Sequence, residues 1–220
     1  PGYLARIREI CDQYGVLLIF DEVMCGMGRT GALFAGDVDG VTPDIVAIAK
    51  GLGAGYQPIG AMLCQDYIHD AIEHGSGFFQ HGHTYLGHPI AAAAANAVLD
   101  RLVVDGLVDD VAQKGEYLKS QLKAKLGQHP HIGNIRGRGL FIGIEFVASQ
   151  DDKTPFDPAL NVAGNLKKNA FQSGLACYPA QGTIDGRTGD HVLLAPPFII
   201  TNDEMDMLVD RLALAVDMTI

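Results

Sequence analysis

Lys50 ends the run Asp44-Ile45-Val46-Ala47-Ile48-Ala49-Lys50, and glycines follow it at positions 51, 53 and 55. Five apolar residues lead into a single amine, the pattern of a buried strand that stops on a lysine. Burial disfavours the charged form of an amine and lowers its pKa, and a neutral amine can attack an aldehyde to form a Schiff base. The plain alternative is a strand-end lysine that extends its head into water. The other lysines (Lys114, Lys119, Lys123, Lys125, Lys153, Lys167 and Lys168) lie in polar or amphipathic stretches that suit a solvated ammonium.

A second window favours chemistry at Lys50. Val16-Leu17-Leu18-Ile19-Phe20 reads as a short strand buried on both faces, and it ends in Asp21-Glu22. Open α/β sheets place ligand chemistry at the C-terminal ends of their parallel strands. An acid and an amine therefore fall on one edge of one sheet. Pyridoxal 5′-phosphate (PLP) needs that pair: the lysine takes its aldehyde as an imine, and a carboxylate keeps its pyridine nitrogen protonated, so that the ring can accept electrons.

The residues that carry this chemistry belong to a longer series. It includes Leu17–Val23, Gly26-Met27-Gly28-Arg29-Thr30-Gly31, Pro43-Asp44-Ile45, Ala49–Gly55, Pro58-Ile59-Gly60-Ala61, His83-Thr84-Tyr85, Gly87-His88-Pro89 and Leu194-Ala195-Pro196-Pro197. In order and spacing this series resembles the class III PLP-dependent aminotransferases, along essentially the whole chain. The resemblance implies an α/β, fold-type I PLP-transferase. Residues 1–105 would be the later part of the large, mainly parallel-sheet PLP-binding domain, and residues 106–220 the small α+β C-terminal domain.

The resemblance also implies roles. Asp21 would pair with the pyridinium nitrogen, and Val23 would pack on one face of the ring. Lys50 would form the Schiff base and later carry the proton between the substrate α-carbon and the cofactor. Thr84 would reach the cofactor phosphate of the neighbouring subunit, which implies a homodimer with a shared site. The reaction would move an amino group from a small-molecule donor to a keto acid such as pyruvate. Aminomutase, racemase and decarboxylase chemistry on the same fold remain open, as does a non-catalytic fragment. Met24-Cys25 after Asp21-Glu22-Val23 is more similar to the amine or ω-amino acid:pyruvate branch than to the ornithine or GABA branch. Met27 stands where phenylalanine is usual, a packing change of small consequence. A full member is about twice this length, and the chain begins at Pro1-Gly2-Tyr3 without a methionine. The expectation is therefore a fragment, a processed chain or half of a split protein, the last with an N-terminal half as partner.

Composition narrows the partners. The 220 residues are 48% hydrophobic, ample for a core, and carry a net charge of −10, which argues against nucleic acid or an anionic membrane. No apolar run approaches the roughly 20 residues of a membrane span. Cys11, Cys25, Cys64 and Cys177 are scattered, which suits reduced thiols and a cytoplasmic setting better than a disulfide framework.

The elements that must position Asp21 and Lys50 can be traced from periodicity. Leu4, Ile7, Ile10, Cys11 and Tyr14 recur at helical spacing, and Gly15 stops that helix. Strands are expected at 16–20, 46–49 and 59–64, and an alanine-rich helix from Pro89 to about Val104. The alternation predicts a parallel-type sheet with packed helices. A helix from about Leu107 to Leu126 carries Val111, Gly115, Leu118 and Leu122 on one face. An antiparallel pair at 132–136 and 140–147, a helix near 160–173, short strands at 176–178 and 192–195, and a last helix opened by the capping box Thr201 to Glu204 complete the chain.

Other motifs are weaker. Gly26-x-Gly28-x-x-Gly31 matches a dinucleotide fingerprint, but Gly36, Gly40 and Pro43 follow where a phosphate-binding helix should open. His81, His83 and His88 lack a nearby carboxylate and read as loop histidines rather than metal ligands; no metal is expected. In the resembling family an arginine near Gly186-Arg187-Thr188-Gly189-Asp190 often clamps the substrate carboxylate, as a bidentate fork can. This makes Arg187 the substrate-binding candidate, with a merely solvated arginine as the alternative. Arg136 and Arg138 are weaker candidates.

Overall fold

The structure is a computed structural model that describes residues 2–220. The chain forms two compact units that divide between Asp109 and Asp110.

In the first unit, helix α1 (Tyr3–Tyr14) is closed by Gly15 in the left-handed region, φ 62°, as the glycine stop predicts. Strands β1 (Ile19–Asp21), β2 (Ile45–Ile48) and β3 (Ala61–Cys64) form a sheet in the order β1-β2-β3. β1 and β2 are parallel, with Ile19 opposite Ile45 and Asp21 opposite Ala47, whereas β3 runs antiparallel to β2. The sheet is therefore mixed. The first strand also differs from expectation. Val16 and Leu17 precede it and are exposed, and Ile19 within it is 59% exposed, so it is not buried on both faces. Its start is set by Asp44. The Asp44 carboxylate accepts the Leu18 N–H at 2.6 Å, and the Asp44 and Ile45 N–H groups donate to the Leu18 carbonyl. Pairing with β2 begins only after this clamp. Asp44 also accepts from Arg8 of α1 at 2.9 Å and from the Tyr67 hydroxyl at 2.7 Å. It thus ties the N-terminal end of β2 to α1 and to helix α2 (Asp66–His74), a helix that the sequence reading did not anticipate. Helix α3 (Pro89–Leu99) opens on a proline that needs no N–H partner, and it continues through a π-helical turn at Asp100–Val104.

The second unit holds the contiguous hydrophobic core. Helix α4 (Leu107–Leu126) lays Val111, Leu118 and Leu122 against strands β4 (Ile132–Arg138), β5 (Phe141–Phe146), β6 (Tyr178–Gln181) and β7 (Asp190–Leu194), in an antiparallel sheet of order β4-β5-β7-β6. Ile142, Ile144 and Val192 face the same core with no exposed surface. Helices α5 (Val162–Gln172) and α6 (Asn202–Asp217) add Leu166, Met205 and Leu212. Gly115 sits against the backbone of Gly139 with no room for a Cβ, which lets α4 approach the β4–β5 turn closely. The capping box of α6 forms as expected: the Thr201 hydroxyl accepts the Glu204 N–H, and the Glu204 carboxylate accepts the Thr201 N–H at 2.8 Å. The sixth strand begins two residues later than the apolar pattern at 176–178 suggests.

Candidate active site

Because β1 and β2 are parallel, their C-terminal ends lie on one edge. Asp21 is the last residue of β1 and faces Ala47 of β2; the Glu22 N–H extends the pairing to the Ala47 carbonyl at 2.9 Å. Lys50 lies three residues beyond Ala47, so the acid and the amine both fall at the same edge of the sheet. Asp21 is exposed, and its Oδ1 accepts the N–H of the half-buried Val23 at 3.1 Å, which turns the chain away from the strand. Lys50 adopts φ 43°, a left-handed conformation uncommon outside glycine. It opens a single 3-10 turn, Lys50–Leu52, anchored by the buried Leu52. Strain of this kind clusters at functional positions.

The expected desolvation of Lys50 is not found within this unit. The residue is exposed, Ala49 beside it is only half-buried, and the glycines that follow have no side chains to cover it. The lysine therefore stands on the sheet edge as an open amine.

Behind that edge lies a residue whose role the sequence did not reveal. Glu22 is 3% exposed; its Oε2 accepts the Ala35 N–H at 2.7 Å and its Oε1 the Gly36 N–H at 2.9 Å. The carboxylate pins the glycine-rich segment after β1 to the strand end that carries Asp21. Gly26 passes so close that a Cβ there would lie 2.8 Å from Glu22 Oε2. Sequence signals for this brace were faint, since its partners are backbone amides thirteen and fourteen residues away. Arg29 in the same segment is partly buried, which pushes its guanidinium down to about 10. Burial, followed by the Glu22 charge, raises the Cys25 thiol. No helix opens after Gly31. Gly28 and Gly31 turn back on themselves at φ 89° and 88°, and only a short 3-10 turn, Ala35–Asp39, follows, so the dinucleotide geometry is not built.

Thr84 is exposed in a turn before α3, closed by the Leu86 N–H on the His83 carbonyl and the His88 N–H on the Tyr85 carbonyl. His83 and His88 line a cleft of about 690 Å³ with Gln57, Pro58 and Gly60. Arg187 lies in the second unit, exposed in the loop between β6 and β7. Arg136 in that unit is engaged by Glu145 at 3.4 Å. The structure thus gathers Asp21, Val23 and Lys50 on one edge, places Thr84 in a separate loop of the same unit, and puts Arg187 in the other unit.

Residues 1–216 match the family model of the class-III aminotransferases. The chain belongs to that family. An aminotransferase of Gibberella zeae is 44% identical over 98% of this class III chain, and an uncharacterised aminotransferase of Schizosaccharomyces pombe is 46% identical over all of it. The class III chain spans 42% and 48% of those two proteins, about half the length of the curated relatives it matches. An amine transaminase from an uncultivated Pseudomonas species, solved in its PLP-bound form, superposes with a TM-score of 0.90 at 38% identity. That match covers 99% of this chain and 48% of the Pseudomonas chain. The α/β fold is accordingly that of the fold-type I PLP-dependent transaminases, of which this class III chain forms a part.

Proposed function

We propose that the complete protein carrying this chain is a PLP-dependent transaminase. It moves an amino group from an amine or ω-amino acid to a keto acid such as pyruvate. The observation that carries the reading is the shared edge of β1 and β2, with a carboxylate on the last residue of β1 and an amine on the turn two residues past β2.

That donor set fits PLP. The Asp21 carboxylate suits a protonated ring nitrogen, the Lys50 amine suits the aldehyde, and Val23 offers an apolar surface two residues after the acid. When bound, PLP supplies the electron sink that stabilises negative charge at the substrate α-carbon. Asp21 keeps a proton on the ring nitrogen by holding a negative charge beside it. Lys50, on its turn at the strand end, holds the cofactor and then takes and returns the proton at the substrate α-carbon. Thr84 would donate its hydroxyl to the phosphate in the neighbouring subunit of a homodimer, and Arg187 would grip the substrate carboxylate as a two-pronged donor. The first unit is read as the later part of the large PLP domain and the second as the small C-terminal domain. Segments outside this chain complete the pocket and cover Lys50. A cytoplasmic setting fits the four cysteines, none of them in a disulfide; among the described residues no helix is long and apolar enough to cross a membrane.

The test is chemical labelling of the complete protein. PLP is added, the adduct is fixed with borohydride and the peptides are mapped. A pyridoxyl group on the peptide containing Lys50 is expected, together with amino transfer between two separate molecules. Label scattered over the surface lysines would overturn the cofactor assignment. Isomerisation or decarboxylation of a single substrate, without transfer, would move the protein to another reaction of the same fold.

A further inference from the structure

The loop between β6 and β7 is the one that carries Arg187. Its rim is closed by backbone. The Gly182 N–H donates to the Gly189 carbonyl at 2.9 Å, the Ile184 N–H to the Thr188 carbonyl at 3.1 Å, and the Gly186 N–H to the Gly182 carbonyl at 3.1 Å. The Thr183 hydroxyl adds a further bond to the Gly189 carbonyl at 3.1 Å. Gly189 is at φ 91°, and a Cβ there would lie 2.5 Å from the Thr183 hydroxyl oxygen, so the rim is tight.

The tip is held differently. One oxygen, Asp185 Oδ1, accepts three hydrogen bonds: from the Arg187 N–H at 2.9 Å, the Thr188 N–H at 2.7 Å and the Thr188 hydroxyl at 3.0 Å. These bonds favour the charged carboxylate and lower its pKa, the Thr188 N–H most. The acid two residues from the arginine is thus turned onto the backbone rather than onto the guanidinium. Arg187 itself is exposed. A long side chain loses rotamer freedom when it grips a ligand, and a mobile root adds backbone freedom to that loss.

We infer that Asp185 is a positioning residue for substrate recognition. It fixes the backbone from which Arg187 reaches a substrate carboxylate, while leaving the guanidinium free to bind it. The inference rests on the proposed role of Arg187. Its chemistry is selective, because only substrates that bear a carboxylate draw on it.

The test uses the complete holoenzyme with two amino acceptors, pyruvate and an aldehyde that has no carboxylate. In a ping-pong reaction, kcat/KM for each acceptor reports its own half-reaction. Asp185→Ala is expected to lower kcat/KM for pyruvate roughly tenfold, as befits the loss of several hydrogen bonds to a charged group, with little change for the aldehyde. Asp185→Asn keeps an oxygen that can accept the same bonds and should restore most of the pyruvate rate. Equal losses with both acceptors, no loss with either, or an equal loss in both variants would overturn the inference. Arg187→Ala separates the two layers. If it costs several-fold more with pyruvate than with the aldehyde while Asp185→Ala does not, the positioning role alone fails. If it shows no such selectivity, the role of Arg187 fails and takes the inference with it.

Discussion

The two units solve opposite problems. The second buries Leu118, Leu122, Ile142, Ile144, Val192, Met205 and Leu212 completely, and its elements are held by one apolar core. The first leaves Val16, Leu17, Ile19 and Met62 at least half exposed and is organised by carboxylates. Asp44 clamps one end of the sheet, and Glu22 braces the other. Apolar burial is non-directional and tolerates small displacements, whereas a carboxylate bonded to two amides fixes direction. The unit that carries Asp21 and Lys50 relies on the directional device.

This contrast can be broken by substitution. Lys50→Ala in the complete protein should lower turnover by about 10³-fold or more, because both cofactor attachment and proton transfer fail. In this chain alone the unfolding midpoint should barely move, since the side chain is exposed there. Near-normal turnover would remove Lys50 from the chemistry. Asp21→Ala is expected to slow exchange of the substrate α-proton on the order of 10²-fold, measured by deuterium incorporation; unchanged exchange would remove the acid from its proposed partner.

The second unit should answer in stability instead. Leu118→Ala is expected to cost about 2–5 kcal/mol in denaturant unfolding of this chain. Met62→Ala, at an exposed site in the first unit, should stay within about 0.5 kcal/mol. Equal costs would mean that the exposed sheet face is packed in solution.

The subtlest test concerns pH. Burial alone would raise the Asp44 carboxyl, but the Leu18 N–H, the Tyr67 hydroxyl and Arg8 together hold it below its ordinary value of 3.8. A group depressed in the folded state stabilises fully above its unfolded pKa, and that contribution fades as pH falls through the folded value. The stability gap between the parent chain and Asp44→Asn should therefore be constant near neutrality and shrink below about pH 4. A gap that persists unchanged in stronger acid would show that the carboxylate's charge is not what matters.

Much of the second unit was legible in the sequence. α4 runs over the residues its period marks, because Val111, Leu118 and Leu122 repeat on one face and Gly115 allows the close approach. The Thr201–Glu204 box marks the start of α6. These signals are local. In the first unit, helix α2 went unread because its apolar residues are few and lie among charges and histidines. β1 starts later than the apolar run Val16-Leu17-Leu18 suggests, because its start is set by Asp44, twenty-six residues away from Leu18. The parallel run of β1 beside β2, which brings Asp21 and the Lys50 turn to one sheet edge, is readable because both strands are short apolar runs that stop at charged residues. The Glu22 brace was not, because backbone amides leave no mark in a sequence.

Met27 and Gly51 meet behind the lysine turn. A Cβ at position 51 would come within 3.0 Å of the Met27 Cβ, and Met27 is itself buried. Every residue but glycine carries a Cβ, so the contact asks nothing of position 27 beyond that first carbon. Position 51 has no such latitude. In a library of random variants position 51 should be the more restricted of the two, because any side chain there must push the Met27 Cβ aside by a few tenths of an ångström, while position 27, at φ 54°, should favour unbranched side chains that tolerate the left-handed region.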